Sequence, residues 1–98
     1  MENSEFSEAV SHPLVLIDFW APWCGPCKML DEILEELKSR MTELLIHKVN
    51  VVEQTELAGE HSIRSVPVLL LYKNGTEVWR MNGFKPAAEL EETIRNFQ

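Results

Sequence analysis

The sequence lacks any apolar run long enough to cross a bilayer, and it is poor in cysteine and in positive charge. It has two cysteines among 98 residues, and nine Lys and Arg stand against sixteen Asp and Glu, for a formal charge of -7. The absence of such a run argues against a membrane-spanning helix. The scarcity of cations argues against binding to nucleic acid or to an anionic membrane surface, because an acidic protein repels phosphate. Solubility is a sufficient explanation of the charge.

Residues 1–12 contain no basic residue and no continuous apolar stretch, so the pattern of a secretory signal is missing there. We therefore expect a cytoplasmic protein. In a reducing compartment a close pair of cysteines is catalytic or metal-binding more often than structural. With 45% hydrophobic and 26% charged residues, residues 1–98 are expected to form one globular domain that needs no disulfide to fold.

The hydrophobic periodicity predicts an alternation of helices and strands. The order strand, helix, strand implies a right-handed parallel crossover, and the pair Asn74-Gly75 predicts a tight hairpin because both residues accept positive φ. Together the patterns predict an α/β fold, a mixed sheet with helices on both faces. The expected segments are helices at 4–11, 24–40 and 55–63 (broken near Gly59), strands at 13–20 and 43–52, two strands around the hairpin within 68–83, and a last helix from Pro86.

Both cysteines lie where the first predicted strand turns into the long helix. Cys24 is expected at the helix start and Cys27 one turn further in. The positive end of the helix dipole and the unpaired backbone N–H groups favour a thiolate there, so Cys24 should be the more acidic, attacking sulfur. Cys27 would be close enough to displace a mixed disulfide. Pro26 suits the first helical turn, where its missing N–H costs nothing.

Three roles are open for the cysteine pair: a structural disulfide, part of a metal site, or a working dithiol. A domain of this length has little need of a stabilising crosslink. Zinc requires four donors, and His47 and His61 are far apart in sequence while His12 precedes a proline, which argues against a zinc site within one chain. A cluster shared between two chains stays open.

Two segments, DFWAPWCGPCK and IRSVPVLLLYKNG, resemble the thioredoxin family in their residues, order and spacing, and the likeness runs from about Leu14 to the C-terminus. The resemblance implies a thioredoxin-like three-layer α/β fold with a mixed sheet of about four strands, since the first strand of the family is missing here. It implies a protein-disulfide reductase acting by dithiol exchange in cell redox homeostasis. No bound cofactor is implied beyond the redox-active Cys24-Cys27 disulfide, and a thioredoxin reductase would supply the electrons.

By this resemblance Cys24 attacks a target disulfide and Cys27 resolves the intermediate. Trp23 would lie beside the exposed sulfur and contribute to the docking surface, with a plain surface aromatic as the alternative. Trp20 would support the core. Gly25 and Pro26, between the cysteines, are similar to the residues of reducing members, whereas oxidases and isomerases often have a histidine there.

Asp18 interrupts an otherwise apolar strand, and desolvation should raise the pKa of a carboxyl buried there. In the family the matching aspartate lies under the second cysteine and takes its proton. Judged from the residues alone, a strand-end acid that reaches water is an equal alternative. Lys48 matches a lysine that the family places near this aspartate, and its alternative is a solvated strand lysine.

Pro67 matches the cis-proline of the family, which faces the dithiol, and the free backbone of Val66 would pair with an extended substrate. Gly83 matches a glycine on the docking surface, where a missing side chain admits a partner's backbone. The alternatives are a proline that starts a strand and a turn glycine.

Without the first family strand, residues 44–52 would form an edge strand. We expect a monomer, with a weak dimer through that edge as the alternative. Two rival functions stay open. A thiol oxidase or isomerase on the same fold would differ in reduction potential. A binding module would have no need of Cys24, Cys27, Asp18 or Pro67.

Overall fold

The computed structural model describes residues 4–98, which fold into four helices and four strands. The helices are α1 (Ser4–Val10), α2 (Gly25–Arg40), α3 (Thr55–Glu60) and α4 (Ala87–Arg95), and the strands are β1 (Leu14–Trp20), β2 (Leu45–Asn50), β3 (Val68–Lys73) and β4 (Thr76–Asn82).

The four strands form one mixed sheet in the order β2-β1-β3-β4. β1 pairs with β2 in parallel, across the crossover made by α2, while the β1–β3 and β3–β4 pairs are antiparallel. Asn74 and Gly75 have φ of 52° and 86°, which gives the β3–β4 hairpin the two positive values that its tight turn requires. The predicted α/β fold with a mixed four-stranded sheet is confirmed.

β1 is the central strand, and its alternate side chains enter two separate cores. Leu14 and Leu16 pack with apolar residues of α2 and α4 on one face. Val15, Ile17 and Phe19 pack with residues of α1 and α3 on the other. A strand covered on both faces needs apolar residues at nearly every position, which explains the continuous run in the sequence. Asp18 stands on the face covered by α2 and α4, because side chains two residues apart share a face.

β2 lies at one edge of the sheet, as the sequence indicated, and β4 lies at the other. The third helix was expected to break near Gly59, and α3 ends one residue later, at Glu60. The next turn explains that end: the His61 backbone N–H bonds back to carbonyls of α3, and Ser62 has a φ of 59°. In residues 4–98 there is no helix with both the length and the apolar character needed to cross a bilayer.

Candidate active site

The cysteines lie at the junction of β1 and α2. A turn closed by a hydrogen bond from the Cys24 N–H to the Ala21 carbonyl, at 3.2 Å, leads from the strand into the helix. Cys24 is the N-cap of α2, with extended backbone angles, and its Sγ accepts a hydrogen bond from the Cys27 N–H at 3.1 Å. Pro26 is in the first turn, as predicted. The two cysteines form a disulfide, with their Cα atoms 5.3 Å apart.

The disulfide is almost covered by neighbouring side chains. Cys24 is 4% exposed and Cys27 3%, so the cysteine beside Trp23, which was expected to expose its sulfur, is nearly buried. Ala21 packs directly against the pair, and Trp20, Val51 and Val66 pack around this small cluster. Trp20, expected to support the core, therefore packs beside the disulfide.

Trp23 is the most exposed large apolar residue near the disulfide, at 74%. Its side chain lines a groove of about 160 Å³ together with Val66, Val51 and Arg64. Ile63 and Ser65 complete the lining. Sequence reasoning identified Trp23 and Val66 but missed Val51 and Arg64, because only the fold brings the end of β2 and the segment before Pro67 beside the cysteines.

Asp18 is completely buried, and neither of its carboxylate oxygens has a hydrogen-bond partner among residues 4–98. Burial raises the pKa of Asp18 to about 7, because the charged form loses its hydration. The positive charge of Lys48 acts in the opposite direction, and the negative charge of Asp31 raises the pKa further. The alternative of a strand-end acid that reaches water is therefore wrong.

Lys48 stands opposite Asp18 in the parallel register of β1 and β2. Its ammonium does not bond to Asp18, however; Nζ donates to Oδ1 of Asp31 at 2.6 Å and lies 5.5 Å from the centre of the Trp20 ring. Sequence reasoning placed Lys48 near Asp18 but missed Asp31. The available signal was helical spacing, since Asp31 follows Cys27 by four residues and so shares its face of α2.

Pro67 is buried and follows a cis peptide bond from Val66, as the resemblance implied. Within residues 4–98, no backbone hydrogen bond outside the helices and strands involves Val66. Gly83 lies beside this segment: its N–H donates to the Pro67 carbonyl at 2.8 Å, and its φ is 106°. The fold thus brings Val66, Pro67 and Gly83 together, with Val66 against the cysteines.

His47 and His61 lie beside aromatic residues. The rings of His47 and His61 both lie near Phe6, with centroids 6.4 and 5.0 Å from its ring, and His61 Nε2 is 3.1 Å from the Tyr72 hydroxyl. Among residues 4–98, His, Cys, Asp and Glu form no group of three or more arranged to hold a metal ion.

Residues 1–96 match the family model described as thioredoxin. A thioredoxin from Bacillus subtilis is 46% identical over 93 residues, which are 94% of this chain and 89% of that protein. A mutant thioredoxin from Halobacterium salinarum superposes with a TM-score of 0.89 at 33% identity, covering 96% of this chain and 83% of the other. The oxidised mitochondrial thioredoxin 3 of Saccharomyces cerevisiae gives 0.86 at 30% identity, covering 95% and 88%.

The matched segment includes the disulfide, the buried aspartate and the cis-proline whose geometry is described above. The family model covers nearly the whole chain, and the identity to the bacterial relative is high over almost its full length. The chain therefore belongs to the thioredoxin family of protein-disulfide oxidoreductases.

Proposed function

We propose that this protein reduces disulfide bonds in other proteins by dithiol exchange. In the first step the Cys24 thiolate attacks one sulfur of the target disulfide, and the other target sulfur leaves as a thiolate. In the second step Cys27, having lost its proton, attacks Sγ of Cys24 and releases the first target sulfur. The products are a target dithiol and the Cys24-Cys27 disulfide, so two electrons have moved to the target.

The observation that carries this proposal is the position of Cys24 at the N-cap of α2, with its Sγ accepting the Cys27 N–H at 3.1 Å. A backbone N–H aimed at this sulfur and the positive end of a 16-residue helix both favour the thiolate of Cys24. Solvent exposure does not indicate which cysteine attacks, because both are nearly buried. The electrostatic setting therefore supports Cys24 as the attacking residue.

Asp18 is the proton acceptor in this proposal. It is buried on the sheet face that α2 covers, and its pKa of about 7 lies near the working pH. A carboxylate with such a pKa can take the proton of the Cys27 thiol and return it to water. Lys48 lies opposite Asp18 on β2, and its positive charge favours the ionised form of the Asp18 carboxyl.

The substrate would dock in the groove beside Trp23. An extended segment of the target would form backbone hydrogen bonds with Val66. Among residues 4–98, the backbone of Val66 takes part in none of the hydrogen bonds formed outside helices and strands. Pro67 fixes this segment, and Gly83, bonded to the Pro67 carbonyl, presents no side chain to an approaching backbone. These residues support a protein rather than a small molecule as substrate.

Electrons would come from a thioredoxin reductase through the same cysteines, without a bound cofactor. A reducing compartment such as the cytoplasm suits this direction of exchange. The Gly25-Pro26 pair, which resembles that of reducing family members, supports the same direction.

The test is the equilibrium reduction potential of the Cys24-Cys27 pair, measured against defined thiol buffers. We expect roughly -270 mV, the value typical of thioredoxins themselves. A potential above roughly -180 mV, in the range of isomerases and oxidases, would show that electrons flow in the other direction. A double variant, Cys24→Ser with Cys27→Ser, that keeps full partner binding, together with a parent that reduces no disulfide, would instead indicate a binding module.

A further inference from the structure

A salt bridge connects α2 to β2 beside the buried Asp18. Nζ of Lys48 donates to Oδ1 of Asp31 at 2.6 Å. Lys48 is the in-register neighbour of Asp18 on the adjacent strand, and Asp31 follows Cys27 by one helical turn. The cation closest in register to the buried carboxylate is thus bonded to a different acid.

The ion pair lies at the surface, in contrast to Asp18. The side chains of Lys48 and Asp31 are 43% and 49% exposed, whereas Asp18 is completely buried. The pair lines an open groove of about 300 Å³ between β2 and the part of α2 from Asp31 to Lys38. The other lining residues are Leu34, Glu35 and Ile46. A salt bridge this exposed contributes little to the free energy of unfolding, but it places the Lys48 ammonium at Asp31 rather than at Asp18.

Few charged groups face Asp18 from the elements packed around it. From β2 there is Lys48 and from α2 there is Asp31, and the charges of both act on Asp18. Two further charged residues of α2, Glu35 and Lys38, line the same groove as the ion pair and are exposed. β3 places the apolar Leu69 opposite Asp18. α4 presents apolar residues to this face of the sheet: Ala87, Leu90 and Ile94. Burial has the largest effect on the ionisation of Asp18, and the position of the Lys48 ammonium and the charge of Asp31 adjust it.

Resting on the proposed function, we propose that Asp31 is a positioning residue of the disulfide exchange. It holds the Lys48 ammonium in a salt bridge away from Asp18, and thereby sets the pH range in which Asp18 exchanges a proton with Cys27. Asp31 acts on Asp18 in two ways, both in the same direction. It restrains the cation that favours the Asp18 carboxylate, and its own negative charge disfavours that carboxylate.

The test is an NMR titration of the Asp18 carboxyl carbon in the oxidised protein, where neither cysteine titrates and the curve belongs to one group. We expect Asp31→Asn to lower the Asp18 midpoint by roughly 0.5 pH unit or more. Asp31→Glu should restore most of the original value. Glu32→Gln is the matched control, because it removes an exposed acid from the adjacent position of α2 and should leave the midpoint in place.

A double-variant cycle identifies the route of the effect. If Asp31 acts partly by holding Lys48, the shift caused by Asp31→Asn should be smaller in a Lys48→Met background. The shift should also shrink at about 1 M salt, where the Debye length falls to about 3 Å. An undiminished shift in both conditions would overturn the proposed mechanism.

The pH profile of disulfide reduction by the same variants separates this proposal from the proposed function. We expect the Asp31→Asn profile to move to lower pH by the same amount as the Asp18 midpoint. An unmoved midpoint, or a moved midpoint with an unmoved profile, would overturn the role of Asp31. A parent protein that reduces no protein disulfide at any pH would overturn the proposed function, whatever the titration shows.

Discussion

The backbone N–H of Cys27 points at Sγ of Cys24, 3.1 Å away, so the helix that carries the second cysteine also stabilises negative charge on the first. We therefore predict that Cys27→Ser, mixed with a protein disulfide, accumulates a covalent adduct through Cys24, because the resolving thiol is missing. Mass spectrometry after acid quenching measures the adduct. Cys24→Ser is the matched variant and should give little of it. An adduct that forms preferentially through Cys27 would reverse the assigned roles.

The buried Asp18 should give the reaction a pH dependence. Its carboxylate must be ionised to accept a proton, so the rate of disulfide reduction should rise as pH increases through about 7. Asp18→Asn cannot accept the proton, so we expect its rate at pH 7 to be lower by about tenfold or more. The increase of the rate through pH 7 should also be absent in this variant. Turnover that is unchanged across pH 6 to 9 would contradict the assigned role. An unaltered far-UV circular dichroism spectrum controls for the fold.

Asp18 should also make the oxidised protein less stable as pH rises. Its folded pKa of about 7 is above the ordinary aspartate value of 3.8, so between these values the folded state binds the proton more tightly than the unfolded state does. The free energy of unfolding should fall between pH 4 and pH 7, by an amount on the order of 4 kcal/mol at 1.36 kcal/mol per unit. Urea unfolding at several pH values measures this change.

Asp18→Asn supplies the comparison for that experiment. The amide is neutral throughout, so the variant should lose the decrease between pH 4 and 7 and be more stable than the parent at pH 8. An identical pH dependence in both proteins would mean that another group is responsible.

Trp23 should matter for docking and hardly at all for folding. Its side chain is 74% exposed and lines the groove next to Val66. We expect Trp23→Ala to change the free energy of unfolding by less than about 0.5 kcal/mol. Its kcat/KM toward a protein disulfide should fall by about tenfold, the loss expected for an aromatic anchor of an interface.

Met29→Ala is the control for Trp23, because Met29 is a large apolar residue of α2, 59% exposed, that does not line the groove. It should leave both quantities nearly unchanged. Equal losses of kcat/KM in the two variants would argue against a specific docking role for Trp23.

Gly83 and Gly59 should respond to alanine in opposite ways. Gly83 has a φ of 106°, which residues other than glycine rarely adopt, so Gly83→Ala should destabilise the protein by roughly 1–3 kcal/mol. Gly59 lies inside α3, and a methyl group added there would meet open space, so Gly59→Ala should stabilise the protein by up to about 1 kcal/mol. Thermal unfolding of the two variants measures both effects. A stabilising Gly83→Ala would mean that the backbone there relaxes freely.

Local patterns were sufficient for the elements and for the central motif. The apolar run of β1, the helical repeat of α2 and the Asn74-Gly75 turn each depend on residues close in sequence, so their structures could be predicted. The same holds for Cys24 at the helix start, because capping is a local interaction. The short α3, which packs Leu57 into the core, ends at Glu60, close to the break that Gly59 indicated.

The amino-acid sequence by itself determined the fold class, the family, the cysteine pair and the presence of an acid in a buried strand, because each of these depends on residue type and short-range spacing. Only the tertiary structure decided how completely Asp18 is buried, that the Lys48 ammonium bonds to Asp31, and that Trp23 and Arg64 line one groove. Those contacts join elements far apart in sequence. Their geometry depends on how helices and strands pack, and periodicity does not encode which long side chain reaches which partner.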